Sequence, residues 1–233
     1  MKIAVIPARG GSKRIPRKNI KEFCGKPIIA YSIEAAVKSG CFDKVVVSTD
    51  DIEIAEVAEY YGAEVPFLRP SDLSGDYTPT NEVVIHTIEY FASQSINIDK
   101  VLCLYATVPF INAQTIKDSL KVFGNNKADF CLAVTVFPSP IQRALKIGLD
   151  NNLSFYYPEY LNTRSQDLEA SYHDAGQFLW GRGCAFKSLS PINSSNTIPY
   201  ILPNYLVQDI DEPQDWKRAE LMYQALLKNG DIN

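Results

Sequence analysis

Nearly unbroken apolar runs alternate with segments of helical periodicity through the first 137 residues, and this alternation restricts the fold more than any other feature. Residues 2–6, 44–49, 101–104 and 128–137 are short apolar runs of the kind buried on both faces of a parallel sheet. Residues 64–67 read as a further brief strand. Between these runs, Ile29, Ile33 and Ala36 recur at helical spacing, as do Ile54, Val57, Ala58 and Tyr61. Val84, Ile88 and Phe91 form a third stripe, and Ile116, Leu120 and Phe123 a fourth. Pro27 suits a first helical turn, Gly62 a helix end, and Pro79 a helix start. Strands alternating with helices of this length predict βαβ units. The expected fold is α/β and Rossmann-like, a mostly parallel sheet flanked by helices, with right-handed crossovers and ligands outside the carboxyl ends of the strands.

The loop after the first strand carries the sharpest chemical signal. Its sequence from residue 6 to 19 is Ile-Pro-Ala-Arg-Gly-Gly-Ser-Lys-Arg-Ile-Pro-Arg-Lys-Asn. Six basic side chains (Arg9, Lys13, Arg14, Arg17, Lys18, Lys21) precede the first acid of the chain, Glu22. Gly10 and Gly11 permit a tight turn that exposes backbone N–H groups. Such a turn, ringed by cations at the end of a strand, suits a polyphosphate better than it suits a plain solvated basic loop. The Gly-x-x-x-x-Gly-Lys-[Ser/Thr] cradle is absent, which counts against an ATPase-type site. Gly-x-Gly-x-x-Gly is also absent, which counts against a dinucleotide oxidoreductase.

The 233 residues carry a net charge of −4, so this basic loop is a local feature on an acidic background. That favours a compact anionic ligand and argues against nucleic acid, which needs a broad basic face. Five cysteines stand singly, without Cys-x-x-Cys spacing, which suits a reducing compartment and offers no obvious zinc site. Cys103 and Cys131 lie in apolar runs as small core residues. No apolar run is long enough to span a bilayer, and no apolar leader stands apart from the first strand, so a cytoplasmic protein without membrane partners is expected.

The alternation breaks after residue 138. Residues 145–149 and 153–157 flank Asp150, Asn151 and Asn152 and predict a hairpin rich in aromatics (Phe155, Tyr156, Tyr157, Tyr160). It is too small to bury these alone. It reads as a dimerisation arm of a homodimer, or else as a β-extension covering the sheet edge. Residues 178–180 and 200–207 return to strand character, and a last helix opens at Pro213 with Trp216, Ala219, Tyr223 and Leu226 inward. The chain thus divides into an α/β core carrying the phosphate-suited loop (1–138), a hairpin insert (139–176) and a return to the core (177–233).

Two further constellations stand out. Asp209 and Asp211 lie two apart on an extended segment, facing one side, with Ile210 turned inward. Two hard oxygen ligands of this kind suit Mg²⁺ when a nucleotide supplies other oxygens, and a cation between them relieves their repulsion. Alternatively, Asp211 or Glu212 caps the helix at Pro213. Around Gly176, Arg164 offers a bidentate contact for a carboxylate, and Gln166, Asp174 and Gln177 offer partners for hydroxyls or amides. The same residues also fit a polar loop over the hairpin base. His173 reads as a structural or rim residue, and His86 has no assigned role.

The strand followed by Pro-Ala-Arg-Gly-Gly-Ser-Lys, then Lys18-Asn19, resembles the signature of sugar nucleotidyltransferases, and in its full form that of the CMP-sugar acid synthetases. The resemblance spans essentially the whole chain. It implies a Mg²⁺-dependent cytidylyltransferase acting on CTP and a nine-carbon acid sugar and releasing pyrophosphate, in bacterial surface-glycan synthesis. It implies that Ala8, Arg9, Gly10, Gly11, Ser12 and Lys13 hold the triphosphate. Lys18 and Asn19 then lie over the reacting phosphate, with Lys18 serving the transition state. Arg69 and the loop to Thr80 match the cytosine side, and Asp209 and Asp211 match the metal ligands. Arg9, Lys18, Asp209 and Asp211 are thus the catalytic candidates, and Arg164, Gln166, Asp174 and Gln177 the sugar-binding ones. Arg-Ser-Gln-Asp-Leu and Tyr-His-Asp-Ala-Gly-Gln-Phe resemble the branch that activates pseudaminic acid. Tyr105-Ala106 stands where sialic acid synthetases carry Gln-Pro, so the role of that Gln does not transfer to Tyr105. N-acetylneuraminate, legionaminate and 3-deoxy-manno-octulosonate remain alternative sugars, and a non-catalytic nucleotide-binding protein or a kinase-like phosphotransferase alternative classes.

Overall fold

The structure, a computed structural model, describes residues 1–230 and 232. Its strands are β1 (Lys2–Pro7), β2 (Glu22–Phe23), β3 (Lys26–Pro27), β4 (Lys44–Ser48), β5 (Lys100–Leu104), β6 (Phe130–Val136), β7 (Leu145–Ile147), β8 (Leu153–Phe155), β9 (Tyr172–Arg182) and β10 (Thr197–Ile201). Its α-helices are α1 (Ile28–Ser39), α2 (Ile52–Tyr60), α3 (Thr80–Ser93), α4 (Ala113–Gly124), α5 (Gly183–Lys187) and α6 (Pro213–Asn229).

Six strands form one sheet in the order β10-β6-β9-β5-β1-β4. β1 pairs in parallel with both β4 and β5, and β6 with β10, whereas β9 runs antiparallel to β5 and β6. The α/β class and the mainly parallel sheet expected from the sequence are thus what the chain adopts. β1 sits where the chain turns first to one neighbour, β4, and later to the other, β5. A sheet of this kind opens a crevice at that switch point, beyond the carboxyl ends of the strands.

Alternation along β1 explains its burial on both faces. Ala4 and Ile6 join the cluster under α1, α2 and α4, whereas Ile3 and Val5 join the cluster under α3 and α5. Trp180 on β9 is fully buried in the first cluster and donates from Nε1 to Ser119 Oγ at 2.9 Å, so its one polar atom is satisfied. Both buried thiols, Cys103 and Cys131, are pushed up to about 12 by burial, which leaves them inert packing residues.

A third cluster fixes the site. Ile15 of the basic loop, Phe23, Ile28, Tyr31, Ile210 and Trp216 pack together, and Phe23 meets Tyr31, Trp216 and Tyr223 edge-on. Ile15 and Ile210 are each almost wholly buried, a contribution of about 1.5–3 kcal/mol apiece. Through them the first loop and the segment before α6 are pinned to one apolar plug.

Several expectations are corrected. Residues 64–67 make no strand; Glu64 and Leu68 form isolated parallel bridges to Val46 and Thr49. The strand near residue 200 ends at Ile201, and residues 204–206 form a short 3₁₀ turn instead. Pro27 precedes α1 rather than lying in its first turn. β9 starts at Tyr172, earlier than expected, and α5 was not foreseen. β7 and β8 form the expected antiparallel hairpin.

Candidate active site

β1 ends at Pro7, and the N–H of Ala8 still donates to Ser48 O at 2.9 Å, extending the ladder with β4 by one bond. The chain then turns sharply, with Ser12 N donating to Gly10 O at 3.0 Å. Neither Gly10 nor Gly11 adopts a left-handed conformation. Gly10 is required for a different reason: a Cβ there would lie 2.6 Å from Asp51 Oδ2, whereas at Gly11 it would meet open space. The Gly10 N–H donates to Asp50 Oδ1 at 2.9 Å, so this amide is committed within the protein and is not the free phosphate donor expected from the sequence.

The six basic residues divide by task. Arg9, Arg14 and Lys18 line the cleft beyond the ends of β1 and β5, which encloses about 490 Å³. Lys13 reaches toward the same cleft, where its ammonium meets Asp76. Arg17, in a left-handed conformation, turns away and pairs with Asp51 and Glu53 of α2. Lys21 lies over the ring of Trp216, 4.4 Å from its centroid. Arg17 and Lys21 therefore hold the loop in place and stand outside the cleft.

Lys18 joins the two ends of the sequence. Its Nζ donates to Ile210 O at 2.7 Å and lies 3.4 Å from Asp211 Oδ1, and Arg14 Nη2 lies 2.9 Å from that same oxygen. Asn19 is almost fully buried, and its Nδ2 donates to Arg9 O at 2.9 Å, closing the loop upon itself. Asp209 and Asp211 both line the cleft while Ile210 between them is fully buried, as their spacing predicts. Burial pushes the Asp209 carboxyl above the ordinary carboxylate range; the neighbouring Asp211 charge adds to this, and Lys18 opposes it. Glu212 caps α6 in a reciprocal capping box with Asp215, which leaves the Asp211 side chain free of that duty.

The far wall comes from the segment after β4. Arg69 N donates to Thr49 O at 2.7 Å, and its guanidinium is buried. Its Nη2 stands 3.8 Å from Asp50 Oδ1, and Nε and Nη2 have no hydrogen-bond partner among the described residues. Burial lowers its pKa, with Asp50 opposing. A buried, half-paired guanidinium on a cleft wall is costly unless a ligand oxygen completes it. Thr80, the first residue of α3, lines the same wall.

A bulge in β9 shapes the remaining side. Its pairing with β6 slips between Leu132 and Val134, and Gly176 there takes φ of +61°. Gly176 N donates to Asp174 Oδ1 at 2.8 Å, and both residues line the cleft. A side chain at Gly176 would approach Asp209 Cγ at 3.4 Å. Tyr105, just beyond β5, faces Asp174 and Thr80, and burial raises its hydroxyl pKa.

The cleft therefore gathers Arg9, Ser12, Lys18, Asn19, Arg69, Thr80, Asp174, Asp209 and Asp211 from among the residues singled out in the sequence. Ala8 is buried beneath it. Arg164 and Gln166 are exposed beyond it, with Arg164 forked onto Asp167 at 2.7 and 3.2 Å. Gln177 is buried and donates from Nε2 to Leu206 O at 2.6 Å, so its amide is used structurally. His173 sits on the rim, with Nδ1 2.8 Å from Asp174 O and its ring against Phe137. The sequence did not single out Asp76 or Thr107 individually, although Asp76 falls within the loop to Thr80 placed on the cytosine side and Gly176 was the centre of a polar run.

Two carboxylates on the segment before α6, beside cations and a buried, half-paired arginine, have the chemistry to accept a polyanion together with a hard cation. Among the described residues no set of three or more His, Cys, Asp or Glu could cage a metal by itself. That fits Mg²⁺, which is bound through one or two carboxylates together with substrate phosphates and water.

Residues 3–172 match the cytidylyltransferase family. The chain is 46% identical over 223 residues to pseudaminic acid cytidylyltransferase of Campylobacter jejuni, covering 96% of each protein. It is 34% identical to CMP-N,N'-diacetyllegionaminic acid synthase of Legionella pneumophila, covering 97% of this chain and 99% of that one. The fold matches that of a CMP:2-keto-3-deoxy-manno-octonic acid synthetase solved with CTP, with a TM-score of 0.69 over 97% of this chain and 99% of that one, at 17% identity. The chain belongs to the cytidylyltransferase family of nucleotidyltransferase enzymes.

Proposed function

We propose that the protein transfers the cytidylyl group of CTP to pseudaminic acid, forming CMP-pseudaminic acid and pyrophosphate for surface-glycan synthesis. The observation that carries this reading is the meeting of Lys18 with Asp211, 193 residues apart in sequence, in a cleft that also holds Arg9 and Arg69. The choice of sugar rests on the 46% identity to the Campylobacter jejuni enzyme, against 34% to the legionaminic acid synthase.

In this reading the anomeric hydroxyl oxygen of the sugar attacks the α-phosphorus, and the bond to the bridging oxygen breaks as pyrophosphate leaves. Arg9, Lys13 and Ser12 hold the β- and γ-phosphates. Lys18, fixed by the Ile210 carbonyl, presents its ammonium to the charge that grows on the α-phosphate and the leaving oxygen. Arg69 completes its hydrogen bonding on the pyrimidine carbonyl. Asn19, which lines the cleft, fixes Arg9 through the hydrogen bond from its amide to the Arg9 carbonyl and lies over the reacting phosphate beside Lys18. Asp209 and Asp211 would hold Mg²⁺, which when bound polarises the α-phosphate. Asp174, beside Tyr105, faces the sugar. Arg164 and Gln166, lying outside the cleft of their own chain, serve the sugar only if the hairpin arm pairs two copies and carries them to the partner's cleft, and a homodimer built on that arm is part of the proposal.

The test is incubation with CTP, Mg²⁺ and a panel of nine-carbon acid sugars, with products identified by mass. CMP-pseudaminic acid as the main product supports the reading. Turnover of another sugar alone would move the assignment within the family, and nucleotide binding without turnover on any sugar would end it.

A further inference from the structure

The cytidylyl-transfer reading leaves two charged side chains of the cleft, Arg14 and Asp76, without a task, and Asp76 is the acidic one. Asp76 stands on the loop between Pro70 and Pro79, facing the phosphate loop. One of its oxygens accepts from Arg9 Nη1 at 2.6 Å, and the other accepts from Lys13 Nζ. One carboxylate thus spans two of the cations assigned above to the β- and γ-phosphates, as two oxygens of a phosphate would. Lys13 first, and then Arg9, hold the Asp76 carboxyl below its usual range, so it is a carboxylate near neutral pH. The carboxylate sits on an exposed loop: the neighbouring Tyr77 is 98% exposed, and no residue from Ser71 to Thr78 is buried.

We propose that Asp76 is a built-in competitor for the phosphate chain, weakening the ligands that reach Arg9 and Lys13, CTP and pyrophosphate, and sparing a nucleoside monophosphate. A triphosphate reaches Arg9 and Lys13 and displaces the carboxylate. A monophosphate held between Lys18 and Arg69 does not contend with it. As pyrophosphate departs, Asp76 returns to both cations and opposes rebinding of that product. The inference rests on the CTP reading of the cleft.

Isothermal titration of CTP, CMP and pyrophosphate, each with Mg²⁺, into the wild type and Asp76→Asn tests it. Two half-exposed ion pairs of ordinary strength amount to about fivefold in affinity. Asp76→Asn is expected to tighten CTP and pyrophosphate by about that factor and to leave CMP within about twofold, with Asp76→Glu close to the wild type. Weaker or unchanged CTP binding in Asp76→Asn overturns the inference, and so does equal tightening of CMP, which would mean a general charge effect. Failure of both proteins to bind CTP would instead defeat the CTP reading itself.

Discussion

Gly10 and Gly11 are neighbours under different constraints. A methyl at Gly10 collides with Asp51, which also accepts from Arg17, so Gly10→Ala should lower stability by about 1–3 kcal/mol and raise KM for CTP. Gly11→Ala, in open space, should change stability by no more than about 0.5 kcal/mol. Thermal melts and CTP titrations of the pair check this. Lys18→Ala should reduce kcat by about 10²–10³ while the protein remains folded, since the ammonium serves developing charge and its site is only partly buried. Near-normal turnover of a folded Lys18→Ala protein would remove Lys18 from the chemistry. At this scale the sequence was informative where residues act within one local segment. Loop composition marked six cations, the family resemblance picked Arg9 and Lys18 from among them, and a two-residue period set Asp209 and Asp211 on one side. The loop holding Asp76 was marked but Asp76 itself was not, because its importance comes from facing Arg9 and Lys13 across 67 and 63 positions of chain. Gln177 misled for the opposite reason: a polar residue in a polar run turned its amide to Leu206.

Among the elements, α2 shows how the phosphate loop is anchored. Asp51 caps α2, accepting from Ile54 N at 3.1 Å, and also binds Arg17. The Arg17 hydrogen bond, more than any other cause, lowers the Asp51 pKa. A carboxyl lowered on folding contributes stability that is complete above the unfolded value of about 3.9 and is lost as pH falls through the folded value. Asp51→Asn keeps a capping oxygen and loses the charge. It should cost about 1 kcal/mol near neutral pH, after allowance for the solvent exposure of Arg17. The gap to the wild type should close below about pH 4, as melts across pH 2–7 would show. A gap independent of pH would mean that packing, not the ion pair, sets the cost. The strands and helices before residue 138 were legible because each announces its own period. β9 was not: its place between β5 and β6, its antiparallel direction and its bulge at Gly176 depend on partners from distant parts of the chain. Residues 64–67 failed as a strand because Pro66 cannot donate to a ladder, leaving two isolated bridges.

The whole molecule brings its two ends together through the cluster of Ile15, Phe23, Ile210 and Trp216, and the cleft exists because that plug is apolar and continuous. The hairpin and the turn that follows it expose Leu153, Tyr156 and Leu161. If it pairs two copies as proposed, sedimentation velocity should find a dimer, and Leu153→Ser with Tyr156→Ser should shift it toward monomer at unchanged fold. A wild-type monomer at micromolar concentration would dismiss the arm as an interface. The most direct trial of the cleft is a crystal structure with CTP and Mg²⁺. The α-phosphate should lie between Lys18 Nζ and the Asp209–Asp211 pair, with the cytosine against Arg69 and the distal phosphates on Arg9 and Lys13. Nucleotide density elsewhere on the molecule, or a triphosphate reversed so that its base sits against Asp211, would contradict the proposed transfer chemistry.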